Sequence, residues 1–104
     1  MVTHEQIEDM CREIRQACDP DMVVLSGSYA RGDATEDSDI DFLVVARSSE
    51  PKPKRSAPLY SLLRLYPYSK DILVYTPEEV EDYRHLRSSL IHRALDEGEV
   101  LYEK

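Results

Sequence analysis

The 104 residues of this chain can form one modest hydrophobic core but leave no room for a separate substrate-binding domain, so we expect a single domain over residues 1–104. Hydrophobic residues make up 41% of the chain and charged residues 33%, and no apolar run approaches roughly 20 residues, which excludes a transmembrane helix. The formal net charge of −8 argues against wrapping DNA or RNA phosphates, so nucleic acid is not the expected partner.

The first element predicted along the chain is an amphipathic helix. Thr3 and Gln6 have the spacing of a capping box at its start. An apolar stripe at helical spacing follows and consists of Ile7, Met10, Cys11, Ile14, Ala17 and Cys18. The two cysteines are about two turns apart, too far for a disulfide, so we expect them to be reduced core residues. Because neither a basic start nor an apolar stretch precedes the helix, we expect a cytoplasmic protein.

Three strands are predicted beyond this helix. Residues 22–26 form a continuous apolar run that predicts a buried strand, and residues 40–46 and 71–75 predict the second and third strands. Between the latter two, the polar segment 48–56 predicts an exposed loop with solvated basic side chains. Residues 57–65 then predict a helix that buries three leucines, Leu59, Leu62 and Leu63.

The last third of the chain predicts two helices and a closing strand. Thr76 can cap the first of these helices, Pro77 suits its first position, and Glu79 can return a hydrogen bond to the cap. The second helix is expected to end at Gly98 and to bury Leu86, Leu90, Ile91, Ala94 and Leu95. Residues 100–102 predict a short strand. This order of elements predicts an α/β (α+β) fold, in which flanking helices cover a small mixed sheet mainly on one side.

A glycine and a serine follow the first predicted strand. Gly27 lets the backbone turn sharply, and Ser28 then lies at the amino end of a short helix, where free N–H groups and the helix dipole attract phosphate. Most Gly-Ser pairs are plain turns. The pair therefore predicts a triphosphate site only in combination with the acidic residues downstream.

Two aspartates flank Ile40 at the start of the second predicted strand. Side chains alternate along a strand, so Asp39 and Asp41 are expected on one face with Cα atoms about 6.6 Å apart. Mg²⁺ prefers oxygen ligands, and two such ions about 3.5 to 4 Å apart can assist phosphoryl transfer. The alternative is a pair of acidic residues that protects an exposed strand edge. Leu43 and Val45 argue against it, because they continue the same face as apolar residues.

A third aspartate, Asp71, begins the third predicted strand. If the second and third strands are neighbours, Asp71 lies beside Asp39 and Asp41, where it can bind a metal ion and accept a proton from an attacking hydroxyl. The alternative, weighted equally from position alone, is a turn residue at a strand end.

These residues together resemble a known family. Gly-Ser-x-Ala-Arg-Gly at residues 27–32, followed by Ser-Asp-Ile-Asp at residues 38–41, resembles the minimal nucleotidyltransferase family of the DNA polymerase beta superfamily. The resemblance is close over residues 23–45 and implies the polymerase-beta-type fold. It implies that the nucleotide-binding residues are Gly27 and Ser28, and that the metal-binding and catalytic residues are Asp39, Asp41 and Asp71. It assigns no chemical step to Arg31.

The same resemblance implies a substrate and a partner. Free-standing minimal members resemble antitoxins encoded beside small helical HEPN proteins, which implies transfer of AMP from ATP, with two Mg²⁺ ions, to a hydroxyl of such a partner in a hetero-oligomer. Larger members of the superfamily carry acceptor-binding domains, so another chain is expected to position the acceptor here. Two alternatives stay open: a non-catalytic antitoxin that acts by binding, and a transferase acting on a small molecule or an RNA end. The dispersed histidines predict no zinc site.

Overall fold

A four-stranded sheet organises the fold in the computed structural model, which describes all of residues 1–104. The strands are β1 (Met22–Ser26), β2 (Ile40–Val45), β3 (Lys70–Tyr75) and β4 (Glu99–Glu103). They lie in the order β3-β2-β1-β4. β2 and β3 run parallel, whereas β1 is antiparallel to both β2 and β4. The sheet is therefore mixed, and the expected α/β class is confirmed.

Six helices connect and cover these strands. They are α1 (His4–Cys18), α2 (Gly27–Arg31), α3 (Lys52–Arg55), α4 (Ala57–Leu62), α5 (Pro77–Tyr83) and α6 (Leu90–Glu97). Both predicted capping boxes are present, at Thr3 of α1 and at Thr76 of α5. None of the helices combines the length and the apolar character that crossing a bilayer requires.

The two faces of the sheet are covered unequally. The main core lies on the face covered by α1 and α4, and alternate residues of β2, namely Ile40, Phe42 and Val44, enter it. On the opposite face, Val24 and Leu43 form a smaller cluster with Ala94 of α6. Side-chain alternation along β2 therefore places Asp41 on the face that α6 crosses.

The segment 48–56 is not the exposed loop that its polar composition predicts. It contains α3, and the side chain of Arg55 is only 10% exposed. Its guanidinium donates a hydrogen bond to Oε1 of Glu79 at 2.6 Å, and the ammonium of Lys52 lies 4.4 Å from the ring centroid of Tyr75. The expectation that these basic side chains are only solvated is wrong for Arg55, because its carboxylate partner comes from the distant helix α5.

Four residues that the helical patterns place in the core are exposed. Ala17 and Cys18 lie in the last turn of α1, which extends beyond the core, although both cysteines are free as expected. Leu86 is 53% exposed and Leu90 is 48% exposed. Leu86 lies outside the helix that the sequence predicts for it, because Ser89 caps α6 by accepting a hydrogen bond from the N–H of His92.

Candidate functional site

Three strand residues form a row across one end of the sheet. Ser26 of β1 pairs with Asp41 of β2, and Asp41 pairs with Asp71 of β3 in parallel register. Neighbouring strands lie about 4.8 Å apart, so the two aspartates are adjacent on the face opposite the main core. The condition set for Asp71 by the sequence, that its strand neighbours the second strand, is therefore met.

The turn after β1 brings the backbone against Asp41. Gly27 has φ +69°, in the left-handed region, and a Cβ atom added there would lie 2.1 Å from Oδ2 of Asp41. Only a residue without a side chain permits both the conformation and this approach. Ser28 lies in the first turn of α2, and the cap residue Ser26 makes no side-chain hydrogen bond to that turn. The N–H groups of the first turn are thus left without a capping side chain.

A cavity of about 340 Å³ opens beside these residues. Strand residues and the turn form one wall, with Gly27, Asp41 and Asp71 among them, and Arg31 of α2 also contributes. Helix α6 forms the other wall through residues at the spacing of one helical face, which are Leu90, Arg93, Ala94 and Glu97. Sequence reasoning missed this wall. The spacing of the four residues was visible, but nothing in it indicates which site the face adjoins.

The carboxylates of the site repel one another. Burial, followed by the charges of Asp71 and Asp39, raises the pKa of the Asp41 carboxyl above its ordinary value, and the charge of Arg31 only partly opposes this. Arg31 is also engaged elsewhere, because its Nε lies 3.4 Å from Oδ2 of Asp33. A bound cation would relieve the repulsion around Asp41.

Two of the candidate residues, Asp39 and Ser28, lie outside the lining of the cavity. Asp39 is exposed, precedes β2 and does not line the cavity, and Ser28 does not line it either. No group of three His, Cys, Asp or Glu side chains is arranged to hold a metal ion. The structure therefore brings together Gly27, Asp41 and Asp71, while Asp39 acts on Asp41 through its charge. The carboxylate oxygens of these aspartates are the type of ligand that Mg²⁺ prefers.

Comparison with known proteins finds a family model that covers most of the chain. The family model described as "Nucleotidyltransferase domain" matches residues 4–101. A Methanocaldococcus jannaschii protein, described as "Putative protein adenylyltransferase MJ0141", is 39% identical over 54 residues, which are 52% of this chain and 54% of that protein. The chain thus spans about half the length of this curated relative.

One solved structure has a similar fold. It is described as "Crystal structure of the toxin-antitoxin with AMP-PNP", and it aligns with a TM-score of 0.65 and 22% sequence identity. The alignment covers 93% of this chain and 73% of that chain. At this identity the likeness establishes the fold and not the activity.

Proposed function

Because this chain belongs to the nucleotidyltransferase domain family, we propose that it transfers AMP from ATP to a hydroxyl group on a partner protein. The observation that carries the proposal is the pairing of Asp41 with Asp71 against the Gly27 turn. The relative described as a protein adenylyltransferase supports AMP as the transferred group and a protein as the acceptor. The similar structure, a toxin-antitoxin with AMP-PNP, supports an adenine nucleotide and a role in a toxin-antitoxin pair, in which we propose that this chain is the antitoxin.

Each candidate residue has a task in this proposal. Gly27 and Ser28 hold the nucleotide phosphates through N–H groups of the first turn of α2. Asp39, Asp41 and Asp71 would hold two Mg²⁺ ions, which would supply positive charge for the phosphates and the departing pyrophosphate. Asp39 is exposed and immediately precedes β2, so in this proposal its side chain turns toward the other two when the metal binds.

The reaction that fits these residues is a displacement at the α-phosphorus. The acceptor oxygen forms a bond to the α-phosphorus, and the bond from that phosphorus to the bridging oxygen of pyrophosphate breaks. Asp71 accepts the proton that the hydroxyl loses. Asp71 is exposed at the edge of the cavity, where an incoming acceptor can reach it.

The acceptor belongs to another chain in this proposal. Much of the rate of such a transfer comes from holding the attacking oxygen in line with phosphorus, and in this proposal the acceptor's own chain supplies that positioning. We propose that a small helical HEPN-like toxin supplies a tyrosine hydroxyl, that the two chains form a hetero-oligomer, and that the reaction takes place in the cytoplasm, where ATP is available.

Intact mass of the partner tests this proposal. The partner is incubated with ATP, Mg²⁺ and either the wild type, Asp71→Asn or Asp82→Asn. Asp82 is an exposed residue of α5 outside the cavity, so its variant makes the same change of charge away from the site. We expect an AMP adduct with the wild type and Asp82→Asn but not with Asp71→Asn.

The competing reading is an antitoxin that acts only by binding. If no adduct forms with the wild type while a tight complex forms and the partner loses its activity, that reading is correct and the enzymatic proposal is wrong. An adduct that forms equally well with Asp71→Asn would remove Asp71 from the mechanism.

A further inference from the structure

The α6 wall of the cavity carries a cation without a protein partner. Arg93 lines the cavity together with Asp41 and Asp71, yet it forms no ion pair, even though Glu97 lies one helical turn away on the same wall. The other arginine of the cavity, Arg31, is paired with Asp33. Arg93 is therefore the guanidinium whose donors are all available to a ligand.

The charge of Arg93 favours an anionic group beside α6, although carboxylates outnumber guanidinium groups in the cavity as a whole. Three carboxylates line the cavity, those of Asp41, Asp71 and Glu97, against the guanidinium groups of Arg31 and Arg93. A polyanionic triphosphate is repelled by the carboxylates unless cations contact it directly. The aspartates would hold a metal ion on the sheet wall of the cavity, and Arg93 lies on the opposite wall, where its guanidinium can contact phosphate oxygens that face α6.

The backbone that carries Arg93 is held firmly. Its neighbours Ile91 and Ala94 are 1% and 4% exposed, and Ala94 packs on Val24 and Leu43 of the sheet. Ser89 fixes the start of the helix by capping it. A side chain on such an anchored turn loses less freedom on binding than one on a loop.

We propose that Arg93 binds the triphosphate of the nucleotide, so that the phosphates are held between α2 and α6. Guanidinium groups suit this task, because their N–H donors form a planar fork that matches phosphate oxygens. Arg93 is then a positioning residue for the transfer. This inference rests on the proposed function, since it assumes that the cavity receives a nucleoside triphosphate.

Binding measurements on three variants test the inference. Calorimetry gives the Kd of ATP and of inorganic tripolyphosphate, both with Mg²⁺, for the wild type, Arg93→Ala, Arg93→Lys and Arg87→Ala. Arg87 is exposed, lies outside the cavity and forms no ion pair, so its variant is matched in net charge. Loss of a charged hydrogen bond predicts that Arg93→Ala binds both ligands about 10- to 100-fold more weakly. We expect Arg93→Lys to be intermediate and Arg87→Ala to bind like the wild type.

Melting temperatures without ligand separate binding from folding, and we expect all four proteins to melt alike. If Arg93→Ala binds tripolyphosphate as tightly as the wild type, the inference is overturned while the proposed function stands. Equal weakening in Arg93→Ala and Arg87→Ala would also overturn it, because net charge alone would then explain the effect. If the wild type itself binds neither ligand, the proposed function fails as well.

Discussion

Gly27→Ala is the sharpest test of the site geometry. The substitution adds one methyl group at a position with φ +69°, and that Cβ atom would lie 2.1 Å from Oδ2 of Asp41, where ordinary contact begins at 3.4 Å. The carboxylate must therefore move by about 1 Å, or the turn must open. Displacement of a catalytic group by this amount costs about 100-fold in rate.

Gly32→Ala is a matched control for backbone strain. Gly32 also has a left-handed conformation, with φ +85°, but an added Cβ atom would meet nothing within 4 Å. An L-residue in this region costs about 1 to 2 kcal/mol, so we expect Gly32→Ala to lower the free energy of unfolding by that amount. Gly27→Ala carries the same strain plus the overlap with Asp41, and we expect a loss of about 2 to 4 kcal/mol.

A double-mutant cycle with Asp41→Ala isolates the overlap. Removal of the carboxylate leaves the Cβ atom of Asp41 as the nearest neighbour, at an ordinary 3.5 Å from the added methyl group. In the Asp41→Ala background, Gly27→Ala is thus expected to cost no more than Gly32→Ala, which corresponds to a coupling of about 1 to 2 kcal/mol. Urea unfolding followed by circular dichroism gives these values, and AMP transfer gives the rate of Gly27→Ala.

Two results would refute this reasoning. One is an equal loss of stability in Gly27→Ala and Gly32→Ala, which would mean that Asp41 does not lie against the turn. The other is the same cost of Gly27→Ala with and without the Asp41 carboxylate, which would mean that the two residues are independent.

Two further predictions concern the nucleotide and the pH dependence of stability. ATP with Mg²⁺ is expected to raise the melting temperature of the protein, because the nucleotide binds only the folded state. Ser28→Ala is expected to reduce this rise. No rise at millimolar ATP, with and without partner, would contradict a nucleotide site at Ser28. The hydrogen bond from Arg55, together with that from Thr76, lowers the pKa of the Glu79 carboxyl below its ordinary 4.5. Glu79→Gln, which can keep the capping box, is therefore expected to cost about 1 to 2 kcal/mol at pH 7, and the difference from wild type should shrink as pH falls below 4.5; a constant difference in urea unfolding from pH 7 to pH 3 would contradict this.

Local features were predictable from the sequence because their signals lie within a few residues. The capping boxes at Thr3 and Thr76 each depend on a side chain three positions away, and both are present as predicted. The strand alternation of residues 40–45 likewise separated Phe42, which enters the main core, from Asp41, which faces the cavity. The motif around Gly27 indicated the nucleotidyltransferase family, and the family match confirms it.

Local patterns failed where tertiary contacts decide exposure. The apolar stripe of α1 continues to Cys18 in the sequence, but the last buried residue of the helix is Ile14. A helix can extend past the core against which it packs, and the sequence pattern does not show where that core ends. The polar segment around Arg55 predicts a solvated side chain, but its guanidinium donates a hydrogen bond to the carboxylate of Glu79, 24 positions away.

Pairing between distant strands was beyond the sequence alone. The sequence position of Asp71 fits a catalytic residue and a turn residue equally well, because hydrophobic alternation does not indicate which strands are neighbours. The parallel pairing of β2 with β3 placed it beside Asp41. Helix α6 is a similar case: its spacing showed one face with Leu90, Arg93, Ala94 and Glu97, but only packing across Val24 and Leu43 brought that face to the cavity. Periodicity and capping depend on residues that are close in the chain. The walls of a site depend instead on which distant elements pack together to bury their apolar surfaces.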